Sequence, residues 1–146
     1  MGARSVKPED LIGAWKLVSC EHLFEDGSVE RPFGRAPSGR LVYGSDGGMI
    51  VLITDSGRPL AASRQLFEAR DPELAAMARG CVAYSGRWKI VEDELVHDVE
   101  QSLFPNWSGS AQRRRLEWDG RRLTLSTSLF AIRGRKCRAV LVWEKE

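Results

Sequence analysis

No apolar run in these 146 residues approaches the roughly 20 that cross a bilayer as a helix, so a helical membrane span is excluded. Charge of one sign is lacking too. Lys and Arg number 22 against 20 Asp and Glu, a net of +2, far from the basic balance of a dedicated nucleic-acid binder. The run Arg113-Arg114-Arg115 does not restore such a patch, because strand alternation splits it between two faces. Cys20, Cys81 and Cys137 are distant and odd in number, which fits neither a zinc site nor a disulfide framework. They are expected to be reduced thiols in a cytoplasmic protein. With only His22 and His97 for imidazole, and no Cys or acid at ligand spacing from His97, no metal and no cofactor is expected. The first eight residues lack the apolar core of a secretory signal, and Val6 stands where a myristoylation signal carries Ser or Thr. Phosphate loops, nucleophile elbows and paired-carboxylate motifs are absent, which leaves nucleotide and hydrolase chemistry without support.

What is present is period-2 patterning. A helical turn is expected over residues 9–13, followed by a long strand in which Trp15, Leu17 and Ser19 alternate with Lys16, Val18 and Cys20. Residues 25–38, rich in Gly, Pro and charge, read as a loop. Two short strands, 41–43 and 49–54, flank the turn signal Gly44-Ser45-Asp46-Gly47-Gly48. One helix follows, where Asp71 as N-cap, Pro72 and Glu73 open a run of good helix formers that Gly80 stops. Strands are then expected at 82–91, 94–103, 110–118, 121–128 and 137–144, with Asp119-Gly120 the strongest hairpin signal. Eight strands in meander order, with one short helix after the third, predict an all-β fold: one antiparallel up-and-down barrel spanning the chain.

At this point the residues resemble a family. Gly13-Ala14-Trp15 looks like the Gly-x-Trp signature of lipocalins, in which the tryptophan plugs the closed end of the barrel beneath a basic residue of the last strand. Arg138 or Lys136 would fill that second role. A fuller match is to the bacterial and fungal stand-alone lipocalin-like proteins. It runs through Gly39-Arg40-Leu41-Val42-Tyr43, Ala83-Tyr84-Ser85-Gly86-Arg87-Trp88 and Ser102-Leu103-Phe104-Pro105-Asn106-Trp107-Ser108-Gly109, and ends at Trp143-Glu144. The resemblance implies binding of a small hydrophobic molecule. An enzymatic role follows only by analogy with biosynthetic cyclases and isomerases on comparable barrels.

Strand phase then selects the lining. On strand 94–103 the acids Asp98 and Glu100 belong in water, which turns Leu95, His97, Val99, Gln101 and Leu103 inward. On the next strand Leu116 and Trp118 set the phase and bring in Gln112 and Arg114. Tyr43, Tyr84, Trp88 and Thr127 join them by the same argument. An apolar pocket with sparse polar groups is the usual form of a small-molecule site. His97, Tyr84 and Arg114 are the candidates for chemistry: imidazole moves protons near neutral pH, and a tyrosine polarises a carbonyl. Arg114 either reaches an end of the barrel or meets an anionic or carbonyl group on the ligand. Tyr43, Trp88, Gln101, Trp107, Gln112 and Leu116 are the candidate ligand contacts, with Trp107 either capping the barrel end or shielding the ligand. The expected partner is a small hydrophobic or aromatic molecule, with neither nucleic acid nor membrane. Outward Val42, Val96 and Val140 are compatible with a homodimer. Two readings compete: a carrier, or a cofactor-independent isomerase or cyclase. A filled barrel without a cavity is the third.

Overall fold

In the computed structural model, which describes residues 5–146, the alternating segments close into an antiparallel barrel. The strands are β1 (Gly13–Phe24), β2 (Val29–Glu30), β3 (Ser38–Tyr43), β4 (Gly48–Thr54) and β5 (Cys81–Val91), then β6 (Glu94–Ser102), β7 (Ala111–Trp118), β8 (Arg122–Ser126), β9 (Phe130–Ile132) and β10 (Arg135–Lys145). Eight of them form the wall, and pairing of β1 with β10 seals it, removing the open edges a long sheet would expose. β2 and β9 are additions outside the expected eight. β2 is a two-residue pairing with β1 inside a segment whose Gly, Pro and charge read as a loop. β9 pairs with β10 through a tight turn in which Arg133 and Gly134 both take left-handed φ, 50° and 79°.

Among the described residues two α-helices accompany the barrel, α1 (Pro8–Leu11) and α2 (Asp71–Arg79), with single 3-10 turns at Leu66–Glu68 and Pro105–Trp107. Asp71 is not the cap of α2 but its first residue; Arg70 holds the cap position. The Glu73 carboxylate accepts from the backbone N–H groups of Arg70 at 3.0 Å and Ala62 at 2.8 Å. These bonds, Arg70's foremost, hold its pKa down to about 2.

Antiparallel order gives the barrel two unlike ends. Short connections, residues 44–47, 92–93 and 119–121, gather at one. Long ones, 25–37, 55–80, 103–110 and 127–134, gather at the other. At the short-turn end Trp15 is fully buried, its indole N–H donating to the Leu11 carbonyl of α1 at 2.8 Å. Trp118 meets Trp15 edge to face at 5.4 Å, and Trp143, Leu95 and Leu123 complete the plug. The base over Trp15 is Lys145, 5.2 Å from the ring centre, with its ammonium donating to the Asp10 carbonyl. Lys136 and Arg138, expected in that role, lie at the opposite end of β10, because Trp15 pairs with Lys145 in the ladder.

Two β-bulges change the inward phase. In β1 the register with β10 skips Val18, so Cys20 and Phe24, rather than Ser19, turn into the core below the long connections. In β6 the register with β5 skips Glu100. Gln101 is thereby turned out of the barrel, where its side chain accepts from the Ser85 hydroxyl at 3.2 Å. Leu103 lies beyond the strand and is half exposed. Gly86 permits this bulge: a Cβ there would collide with the Asp98 carbonyl oxygen. Val96, expected on the outer face, is fully buried; it stands in the ladder between Lys89 and Arg113, long side chains whose stems cover apolar neighbours. It therefore offers no apolar patch to a second copy.

Candidate functional site

The short-turn half of the barrel is packed solid, and the long-loop half is hollow. A cavity of about 670 Å³ occupies the hollow half, a size that suits a small organic molecule. Its apolar wall includes Leu41, Val51, Ile53, Leu125 and Leu141 from alternating strand positions. Phe33, from the 25–37 connection, folds in over it and is buried. Connections 25–37, 103–110 and 127–134 contribute to the lining, whereas 55–80, expected with 25–37 at the mouth, contributes no residue to it; Trp107 and Phe130 stand there as half-exposed aromatics.

The polar part of the wall is a chain of three side chains from three strands. Tyr43 on β3 and Tyr84 on β5 sit on either side of His97 on β6. The Tyr43 hydroxyl lies 2.6 Å from His97 Nε2, and the Tyr84 hydroxyl 2.6 Å from Nδ1. Tyr84 and His97 line the cavity, while Tyr43 lies behind them with the Trp88 ring tilted against it at 5.0 Å. Burial, with a smaller contribution from the charge of Arg114, pushes the His97 pKa down to about 3, so the ring is neutral at physiological pH. Burial raises both tyrosines, and the nearby Arg114 charge opposes that rise.

Arg114 lies on the same wall, half buried, beside Gln112, which faces His97 across the β6–β7 ladder. Its guanidinium donates to the Arg113 carbonyl at 2.8 Å and more weakly to Gln112 Oε1 at 3.4 Å. Among the described residues no carboxylate pairs with it. Thr127 also faces the cavity, but its hydroxyl oxygen already accepts the Ala139 N–H at 2.9 Å.

Of the residues expected at the site, His97, Tyr84, Arg114, Gln112 and Trp107 converge on the cavity. Tyr43 reaches it only through His97. Trp88 and Leu116 belong to the packed half, where the Trp88 indole donates to the Gly44 carbonyl at 2.9 Å. Gln101 is outside. Residues the pattern missed are Cys20 and His22, brought in by the Val18 bulge, and Phe33, the one buried aromatic of a polar loop. The lone Phe33 between Pro32 and Gly34 is a signal sequence reasoning can use. The bulge leaves none.

The cavity holds no activated nucleophile. Burial pushes the Cys20 thiol up to about 12, leaving it protonated and inert. Burial also lowers His22, against a smaller opposing effect of Glu30. No three His, Cys, Asp or Glu side chains come together as a metal site requires, among the described residues. All three cysteines are free.

A closed antiparallel barrel, plugged by tryptophans at one end and hollow at the other, has the form of a small-molecule binding barrel. Within that class, the chain belongs to the lipocalin-like domain family, whose model matches residues 12–146. One relative is the 4'-hydroxy-3'-methoxypropiophenone carrier protein ppsC of Aspergillus oryzae, 34% identical over 106 residues. That match covers 66% of this chain and 96% of the relative. A solved structure of an uncharacterized protein from Bacteroides eggerthii aligns over 93% of this chain and 99% of its own, at 13% identity and a TM-score of 0.48.

Proposed function

We propose that the protein is a carrier: it holds one small, largely apolar aromatic molecule in the barrel and releases it unchanged, in the cytoplasm. The observation that carries this reading is the 670 Å³ cavity itself, apolar over most of its wall, with one polar cluster and no reactive nucleophile. The relative described as a propiophenone carrier supports the same reading and suggests an aromatic ketone as the first ligand to try. Three unpaired cysteines fit a reducing compartment.

The competing reading, a cofactor-independent isomerase or cyclase, has Tyr84 and His97 at the cavity wall in its favour. Against it, both His97 nitrogens are engaged, and a pKa near 3 makes the ring a poor proton acceptor at neutral pH. The test is titration with 4'-hydroxy-3'-methoxypropiophenone and a panel of aromatic polyketides, fatty acids and terpenoids, followed by melting temperature and product analysis. A ligand at about 100 times its Kd should stabilise the fold by roughly 2.7 kcal/mol, several degrees, and be recovered unaltered. A flat response across the panel sinks the carrier reading; a converted ligand favours the enzyme.

A further inference from the structure

The tyrosine–histidine–tyrosine chain has a direction, and that direction specifies what the ligand presents to it. A neutral imidazole has one N–H and one lone pair, so the two hydroxyls at 2.6 Å must play opposite roles toward His97. Tyr43 is 1% exposed and has no polar side-chain partner but His97 among the described residues. Were Tyr43 to accept from the ring, its own O–H would be buried without an acceptor, which proteins avoid. Tyr43 therefore donates to Nε2, the ring proton sits on Nδ1, and Nδ1–H donates to the Tyr84 oxygen. The Tyr84 O–H is then left without a protein acceptor, on a residue that lines the cavity. Arg114 stands on the same cavity wall, a guanidinium with no carboxylate partner among the described residues. A hydroxyl donor without an acceptor and a guanidinium whose charge no carboxylate balances thus share one cavity wall.

We propose that this wall is a receptor for an acceptor oxygen, so that the cavity selects aromatic carbonyl compounds: the carbonyl or carboxylate oxygen takes the Tyr84 hydroxyl and faces Arg114, and the ring fills the apolar remainder. Tyr43 acts as a positioning residue, fixing the tautomer from behind without touching the ligand. The inference rests on the carrier reading and deepens it, because a carrier of hydrocarbons would need neither the free donor nor the unpaired cation.

The test uses one aromatic frame with four substituents: 2-naphthoate, 2-acetonaphthone, 2-ethylnaphthalene and 2-naphthylmethylamine, titrated by calorimetry. Naphthoate and acetonaphthone are expected to bind at least about tenfold more tightly than ethylnaphthalene, as one hydrogen bond to a polarised or charged oxygen implies, and the cationic amine most weakly. Tyr84→Phe should collapse the difference between ketone and hydrocarbon, and Arg114→Gln the extra affinity of the carboxylate. Tyr43→Phe, remote from the ligand, should weaken the ketone while leaving the hydrocarbon unchanged. Nitrogen-15 chemical shifts of His97 in the unsubstituted protein provide a check that survives any misfolded variant: Nδ1 protonated and Nε2 bare is the expected pattern. Protonation on Nε2, or equal affinity for hydrocarbon and ketone, overturns the inference while the carrier reading stands. If none of the four binds, the inference falls, while the carrier reading is decided separately by the wider ligand panel.

Discussion

The two ends of the barrel share eight strands, yet one end is filled and the other is hollow. At the filled end connections are short, Trp15, Trp143, Leu95 and Leu123 are buried to 1% exposure or less, and α1 closes the base. At the hollow end connections are long, and Phe104, Leu129 and Phe130 stand exposed around the mouth. Burial of large side chains supplies most of a domain's stability, so the filled end should set the melting temperature. The hollow end forgoes dispersion contacts to keep space for a guest. His97 and its tyrosines lie at the seam.

The sharpest way to break this division is Trp15→Ala. It removes the plug, its bond to Leu11 and its contact with Lys145, and should cost about 3–5 kcal/mol by denaturant unfolding. A loss no larger than that of a mouth residue would mean that the ends are not unequal after all. Gly86→Ala comes next. With no room for a Cβ against Asp98, the β6 bulge must shift, at a cost of about 1–3 kcal/mol. Because the bulge sets which residues beyond Val99 face inward, ligand affinity should fall with stability; unchanged affinity would show that the lining does not depend on it.

Acid tests the seam. The folded His97 pKa, about 3, lies below the ordinary value of 6.5, so between these pH values the unfolded chain binds a proton that the folded chain refuses. His97 thus contributes stability that is complete above pH 6.5 and lost as the pH falls toward 3. Its share of the slope is about 1.4 kcal/mol per pH unit, and His97→Gln should flatten the profile by that amount. Superimposable profiles would mean that the ring is not held neutral. The smallest effect belongs to the mouth. Phe130→Ala removes a half-exposed ring at the mouth that meets the His22 ring edge to face, and should change stability by less than about 1 kcal/mol while altering ligand affinity or exchange.

Much of this molecule was legible as pattern. Period-2 alternation located the eight wall strands, and Asp119-Gly120 marked a hairpin whose Asp119 carboxylate accepts the Arg121 and Arg122 N–H groups at 2.8 and 2.7 Å. His97, Tyr84, Gln112 and Arg114 were placed inward from residues on their own strands, and they line the cavity. The inferences that failed share one cause. Gln101 was placed inward by carrying alternation past the β6 bulge, and the unbroken alternation expected from Trp15 to Cys20 is interrupted at Val18; one extra residue inverts every side chain that follows. Lys145 was missed because its partnership with Trp15 depends on the register of the first strand against the last.

The sequence by itself therefore determined the class of fold, the positions of the turns and the composition of the inner face, since each follows from contacts between near neighbours along the chain. Only the tertiary structure decided which base covers the plug, which residues the two bulges turn inward, and that His97 sits between tyrosines from two other strands. Those depend on ring closure and strand register, which bring together residues dozens of positions apart and leave no local mark on any one of them.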